Sequence, residues 1–354
     1  MGMIRLLLAV AVLNSHLPLT DWPVVDGHEA VLAFFAVSGF YMALVLDSAY
    51  GSARAFYLSR FLTLYPLYVL ALIVSVGLLV SLDIHSMTTF SKMKAILSDP
   101  AGFAVMAWTS LCLVGQELLF SLSLGPDGLV FVTESRDALW KNAPLIQAWS
   151  LSLEAVFYAL APMLAVMRTR TLAALAGLSL CAKIGVMALG LSDVVFYRRF
   201  FPLEFWLFAC GMLAYRLYKG LPGKSRPLDL LAFGALAAVI LMAGEIPESM
   251  QPFVLPFAVL FSLPFVFRRF CRSAFDRYVG RISYPFYLFH FTVIAVFEMY
   301  IDEPCGWDIL AVTLVIAVAA NALFSPGLER FKRLLRTPAG QPLAVPGGAV
   351  REAG

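Results

Sequence analysis

Apolar residues along the chain gather into blocks separated by short polar or charged stretches. Blocks near 5–20, 29–47, 61–81, 144–166, 173–191, 203–218, 228–244, 250–267, 282–301 and 308–328 each approach the roughly 20 residues a helix needs to cross a bilayer core. A further apolar block at 101–122 is interrupted in its middle by Gly115-Gln116-Glu117. The pattern predicts an all-α, polytopic membrane bundle of about ten transmembrane helices, with block 101–122 as a candidate re-entrant segment. No repeat at a fixed period is seen.

Composition sharpens this. The 354 residues are 61% hydrophobic and 14% charged, with a mean hydropathy of +0.83, against about 25% charged and about 45–50% apolar residues in a soluble domain. A soluble fold does not need that much apolar chain. Cysteines at 112, 181, 210, 271 and 305 are odd in number and lack metal-like spacing, so neither a disulfide framework nor a metal site is expected. The net charge of +3 is modest, and its basic residues sit at block ends, which points to topology and away from nucleic acid. The first block is short, but no small-residue cleavage site follows Asn14-Ser15-His16-Leu17-Pro18, so it reads as a membrane helix.

Charge sets the expected orientation. Arg330, Lys332, Arg333 and Arg336 place the carboxyl end in the cytoplasm, and the loop with Glu298, Asp302, Glu303 and Asp308 outside. Alternation then puts Arg268, Arg269, Arg272, Arg277 and Arg281 inside, Glu245 and Glu248 outside, and Arg216, Lys219, Lys224, Arg226, Arg168 and Arg170 inside. Arg198 and Arg199 are an external exception. Arg54 and Arg60 make the second loop cytoplasmic, so 82 and 144 both lie outside. Block 101–122 therefore cannot cross once, and is expected as a re-entrant hairpin, an interfacial helix or an even number of short passes. Residues 1–336 read as one membrane domain with both termini cytoplasmic, and 337–354 as a disordered cytoplasmic tail.

Arg5 and His16 lie eleven positions apart, which returns them to nearly the same helix face, about 16 Å apart along the axis. An ionisable residue in an apolar span is costly, so function is the starting hypothesis, although an arginine opening a first helix also serves as a topology anchor. Four more segments add context: Ala33 to Phe40, Tyr57 to Pro66, Trp149 to Tyr158 with Glu154, and Gly280 to His290.

In these segments the sequence resembles the family-3 membrane acyltransferases, of the type that acetylates polysaccharides, over most of the chain from Arg5 to about His290. The family's Arg or Lys, ten residues, then His is matched by Arg5 and His16. Its Phe-Phe-x-x-Ser-Gly-Phe stretch is matched at Phe34 to Phe40, and its Trp-Ser-Leu-x-x-Glu-x-x-Phe-Tyr and Ser-Tyr-x-x-Tyr-Leu-x-His segments at Trp149 to Tyr158 and Ser283 to His290. Two positions depart from it. Thr63 replaces the second arginine of Arg-x-x-Arg-x-x-Pro, where Arg60 and Pro66 match, and Leu32 stands where an acidic residue commonly precedes the paired phenylalanines. Glu29 and His28 lie nearby and would compensate only in part.

The resemblance implies an O-acyltransferase of the bacterial inner membrane that takes an acyl group from cytoplasmic acyl-CoA, with acetyl-CoA the expected donor, to a hydroxyl of an extracytoplasmic glycan or glycolipid. No bound cofactor, metal or nucleic acid is expected; the partners are donor, acceptor and membrane lipids. His16 suits general-base work or a transient acyl-imidazole, and the resemblance favours the base. Glu154 is the second catalytic candidate, to orient an imidazole or bind the acceptor, against a buried carboxylate paired with an arginine. Arg5 and Arg60 are the candidate binders of CoA phosphates. Ser38, Tyr284 and His290 are candidate substrate-site residues, with Ser38-Gly39 read most simply as a small-residue helix contact. Other readings are an acyltransferase for a small-molecule or lipid acceptor and a secondary transporter, which would show internal repeats.

Overall fold

A computed structural model describes all residues except 23, 51, 127, 134–137, 192–194, 224–225, 248–249 and 336–354, and all described side chains except those of 195 and 196. The expected tail from Thr337, and Lys224, Glu248 and Arg336 of the charge pattern, lie outside the described residues. Twelve α-helices are found among those described: α1 Gly2–His16, α2 Gly27–Ser48, α3 Ala53–Leu82, α4 Phe90–Ser98, α5 Pro100–Cys112, α6 Ala148–Val166, α7 Thr169–Ala188, α8 Phe201–Gly220, α9 Arg226–Met242, α10 Gln251–Phe270, α11 Ala274–Tyr300 and α12 Gly306–Leu335. One antiparallel hairpin, β1 Leu122–Gly125 with β2 Gly128–Phe131, pairs Leu122 with Phe131. This is an all-α polytopic membrane bundle. Eight helices are long and apolar enough to cross a membrane. The apolar α1 is shorter, and α8, which carries Glu204, Arg216 and Lys219, is not among the eight; with these two helices the ten expected blocks each have a helix in the described structure.

Local chemistry starts several of these helices. Asp26, Ser52 and Ser273 accept from the backbone N–H groups of His28, Ala55 and Asp276, satisfying donors that a first helical turn leaves open. Asp276 caps α1 as well, accepting from the Met1 amino group at 2.5 Å and from Met3 N at 3.0 Å. The Asp276 contacts, with the Lys219–Asp47 ion pair at 2.9 Å that joins the ends of α8 and α2, mark one face of the bundle, the basic face; the Asp26 cap lies at the other end of α2.

The disposition of 101–122 follows from the opposite face. Ser86 Oγ donates to Phe291 O and Gln147 Nε2 to Leu288 O, so the chain between α3 and α6 leaves and re-enters beside the same stretch of α11. It makes no net crossing. Helices α4 and α5 meet at 112°, and α5 descends along α3 until Tyr65 and Tyr68 donate to the carbonyls of Leu111 and Ser110. Leu113 and Gly115 then adopt positive φ, a short 3-10 turn covers Gln116–Phe120, and the hairpin leads the chain back. The freed backbone is satisfied inside protein: Ser152 Oγ accepts from Gly115 N at 2.8 Å and Gln116 N at 3.3 Å. Of the three expected arrangements, the re-entrant one is found.

Helix α2 lies at the centre, with 78% of its apolar window buried, against 22–28% for α3, α7, α9 and α12. A helix apolar all round is sheltered by other helices, whereas the four outer ones turn apolar side chains to lipid. Glycine permits a close contact here: a Cβ at Gly39 would lie 2.8 Å from the carbonyl carbon of Phe208 on α8, and one at Gly211 would lie 2.8 Å from Phe40 N. The two backbones touch at a reciprocal pair of glycines, the small-residue contact expected at Ser38-Gly39.

Candidate active site

Two cavities enter the bundle from opposite faces. The one at the basic face, about 250 Å³, is lined by Arg5, Ser38, Arg60, Glu154, Tyr284 and Lys332 among others. Arg5 comes from the first turns of α1, and its guanidinium carbon lies 6.0 Å from the centre of the Tyr41 ring. Arg60 reaches in from α3, with Nη2 3.3 Å from Ser59 Oγ and a buried Nε that lacks a partner. Glu154, two turns into α6, accepts from Tyr158 Oη at 2.8 Å, and Tyr158 Oη lies 3.2 Å from Ser38 Oγ. Tyr284 donates to Leu64 O at 2.8 Å, tying α11 to α3. Five of the seven candidate residues therefore share one cavity: Arg5, Arg60, Ser38, Glu154 and Tyr284.

The opposite cavity, about 470 Å³, holds His16 at the end of α1. Its ring is solvent-accessible, 4.4 Å from Phe291 and stacked 5.9 Å from His290 between centroids. His290 is 1% exposed, and its Nδ1 lies 2.6 Å from Tyr287 O. A carbonyl only accepts, so Nδ1 carries the proton and the buried Nε2 is an acceptor without a partner. Tyr287 belongs to this cavity and to a pocket of about 40 Å³ between the two, which Arg5, Phe34, Glu154 and Tyr284 also line. That pocket has room for only a few waters. Tyr287 Oη is pinned there by Gln147 O at 3.0 Å and Ser150 Oγ at 2.8 Å. The bundle thus has two solvent-facing chambers separated by a narrow polar constriction.

The chain matches the family described as an acyltransferase domain, of the family-3 type, over residues 3–325. It belongs to that family. No curated protein and no solved structure matches it. The protein is a membrane acyltransferase, and the matched stretch takes in the helices that line the two chambers except the end of α12, where Leu328, Glu329 and Lys332 line the basic-face cavity beyond it.

In this acyltransferase the sequence-predicted residues divide by chamber. His16 and His290 stand together, whereas Glu154 lies with Arg5 and the tyrosines across the constriction and is not among the groups around the His16 ring. His28 and Glu29, considered near the missing acid at Leu32, do not line the basic-face cavity; His28 lines the chamber of His16, its ring 5.6 Å from Trp149. Leu32 itself is fully buried.

Three features escaped the sequence reading. Arg198 and Arg199, set aside as a charge exception, line the His16 chamber. Arg199 lies half-buried with its guanidinium 3.9 Å from the Phe120 ring and 4.9 Å from Trp149; burial, then the neighbouring Arg198 charge, pull it down to about 10, so it stays charged at neutral pH. Asp26 joins them on the chamber wall. The third is Lys183 Nζ on α7, 2.5 Å from Glu204 Oε1 on α8, with side chains 1% and 0% exposed. A lysine and a glutamate inside apolar blocks were the available signal, but nothing in sequence spacing pairs residues on different helices.

Proposed function

We propose that this acyltransferase takes an acyl group, acetyl first among candidates, from acyl-CoA on the cytoplasmic side and delivers it to a hydroxyl of an extracytoplasmic glycan or glycolipid at a bacterial inner membrane. The observation that carries the reading is the pair of chambers opening to opposite faces and meeting at a constriction beside Tyr287. The excess of Arg and Lys at the face carrying both described chain ends supports a cytoplasmic basic face. Arg5 and Arg60 there offer fixed cations for CoA phosphates, Arg60 with an unused N–H. Glu154 and Tyr158 supply an acceptor and a hydroxyl where the thioester arm would pass, so Glu154 is read as binding the donor arm, not as orienting His16.

His16 waits on the acceptor side. In the proposed step its neutral imidazole takes the acceptor hydroxyl proton while that oxygen bonds to the thioester carbonyl carbon; the C–S bond then breaks and the thiolate leaves, recovering the proton from the imidazolium. Because the constriction has room for only a few waters, Tyr287 must move before carbonyl and hydroxyl can meet.

Two measurements test this. Mass spectrometry of surface glycans from cells with and without the protein should show loss of an acyl increment. His16→Ala and His16→Gln proteins, purified and folded, should lose about 10²–10⁴-fold in transfer rate, because neither side chain takes a proton at neutral pH. Transfer by His16→Ala at the parental rate would make the base assignment wrong.

A further inference from the structure

The chamber that holds His16 has an unusual wall. Arg198 and Arg199 are consecutive residues leading into α8, on the face where basic residues are least expected. Among the described residues no carboxylate forms an ion pair with either of them. The nearby lysine, Lys183, is by contrast matched to Glu204. Asp26 is the carboxylate that shares the chamber, and its Oδ1 is engaged by His28 N at 2.9 Å. Arg199 is also held in place: Phe120 and Trp149 lie under its guanidinium, and its Nε is buried without a partner. A planar cation fixed by stacking keeps its donors oriented toward an anion with little ordering cost. Exposed Arg198 beside it adds a second charge.

The chamber volume, about 470 Å³, is in the range of ordinary small-ligand sites. Resting on the transfer reading above, we propose that this chamber selects glycan acceptors bearing an acidic group, which Arg198 and Arg199 hold while a neighbouring hydroxyl is presented to His16. The acid is a sugar carboxylate or a sugar phosphate; both satisfy a guanidinium fork.

The test uses the full-length protein in detergent and three probes: a tri-uronic acid, the same trisaccharide with its carboxyls reduced to alcohols, and a sugar 1-phosphate. Titration calorimetry should show one charged probe binding at least about tenfold tighter than the neutral one, with the difference shrinking as salt rises. The favoured probe identifies the source of the acid. Arg199→Gln should reduce that preference severalfold, and so should Arg198→Gln, whose exposed position makes it a substitution that does not disturb packing. Equal binding of all three probes, or a preference unchanged in both variants, overturns the proposal. Acyl transfer to the same probes, measured in parallel, separates the two readings. Transfer without charge preference removes only this inference, whereas charge preference without transfer to any probe refutes the glycan-acceptor function and the acceptor role with it.

Discussion

The contact between α2 and α8 allows a quantitative prediction. Replacing Gly39 with Ala places a methyl carbon 2.8 Å from the Phe208 carbonyl carbon and 3.0 Å from its Cα, where carbon atoms prefer about 3.5–4.0 Å. The obstructing atoms are backbone, so no side chain can rotate away and the helices must part by about 1 Å. A gap of that size forfeits a quarter to a half of the dispersion across the seam, and overpacking of this kind costs about 1–3 kcal/mol. Against it, Gly→Ala inside a helix gains up to about 1 kcal/mol from propensity. Gly177, within α7, supplies the control because nothing lies within 4 Å of its Cβ position. Gly177→Ala should therefore be neutral or stabilising, and because the propensity gain is common to both substitutions, Gly39→Ala should fall below it by the overpacking cost alone, about 1–3 kcal/mol. Thermal unfolding of detergent-solubilised protein, followed by the loss of its monodisperse chromatographic peak, measures this. A midpoint for Gly39→Ala at or above that of Gly177→Ala would refute the backbone contact.

Further outcomes follow from the same structure. Lys183→Met leaves Glu204 buried without its cation and should cost about 3–5 kcal/mol, most of it recovered in Lys183→Met/Glu204→Leu; equal thermal midpoints for the single and double variants would show that the two are not coupled. Arg60→Lys keeps charge but loses a planar pair of donors, so steady-state kinetics should show the KM for acyl-CoA rising more than kcat falls. With the native cysteines replaced, Cys introduced at 90 and 130, both exposed sites, should react with a membrane-impermeant maleimide from the same side; labelling from opposite sides would contradict the re-entrant path.

The sequence by itself determined the solvent and the apolar blocks that become helices. Lipid offers no hydrogen bonds to a backbone, so each long apolar block has one way to satisfy itself, and ten of them are legible without any tertiary information. The charge alternation likewise required the 101–122 block to return, because 82 and 144 had to emerge together. The motif residues Arg5, Ser38, Arg60, Glu154 and Tyr284 were legible as a set, since an ionisable or polar group in a membrane span is costly enough to stand out. Their partition into chambers was not. Helical spacing places Arg5 and His16 on one face of α1, but only packing decides that Glu154 meets Arg5 on one side of Tyr287 while His290 meets His16 on the other. Arg199 stood out in the sequence only as a charge exception for the same reason: its place in the chamber depends on Phe120 from the re-entrant segment and Trp149 from α6, residues brought together from three separate parts of the chain. Hydrophobicity and charge are sums over neighbours in sequence, whereas a site is a set of neighbours in space, and only the packing of α2 against α1, α6, α8 and α10 turns one into the other.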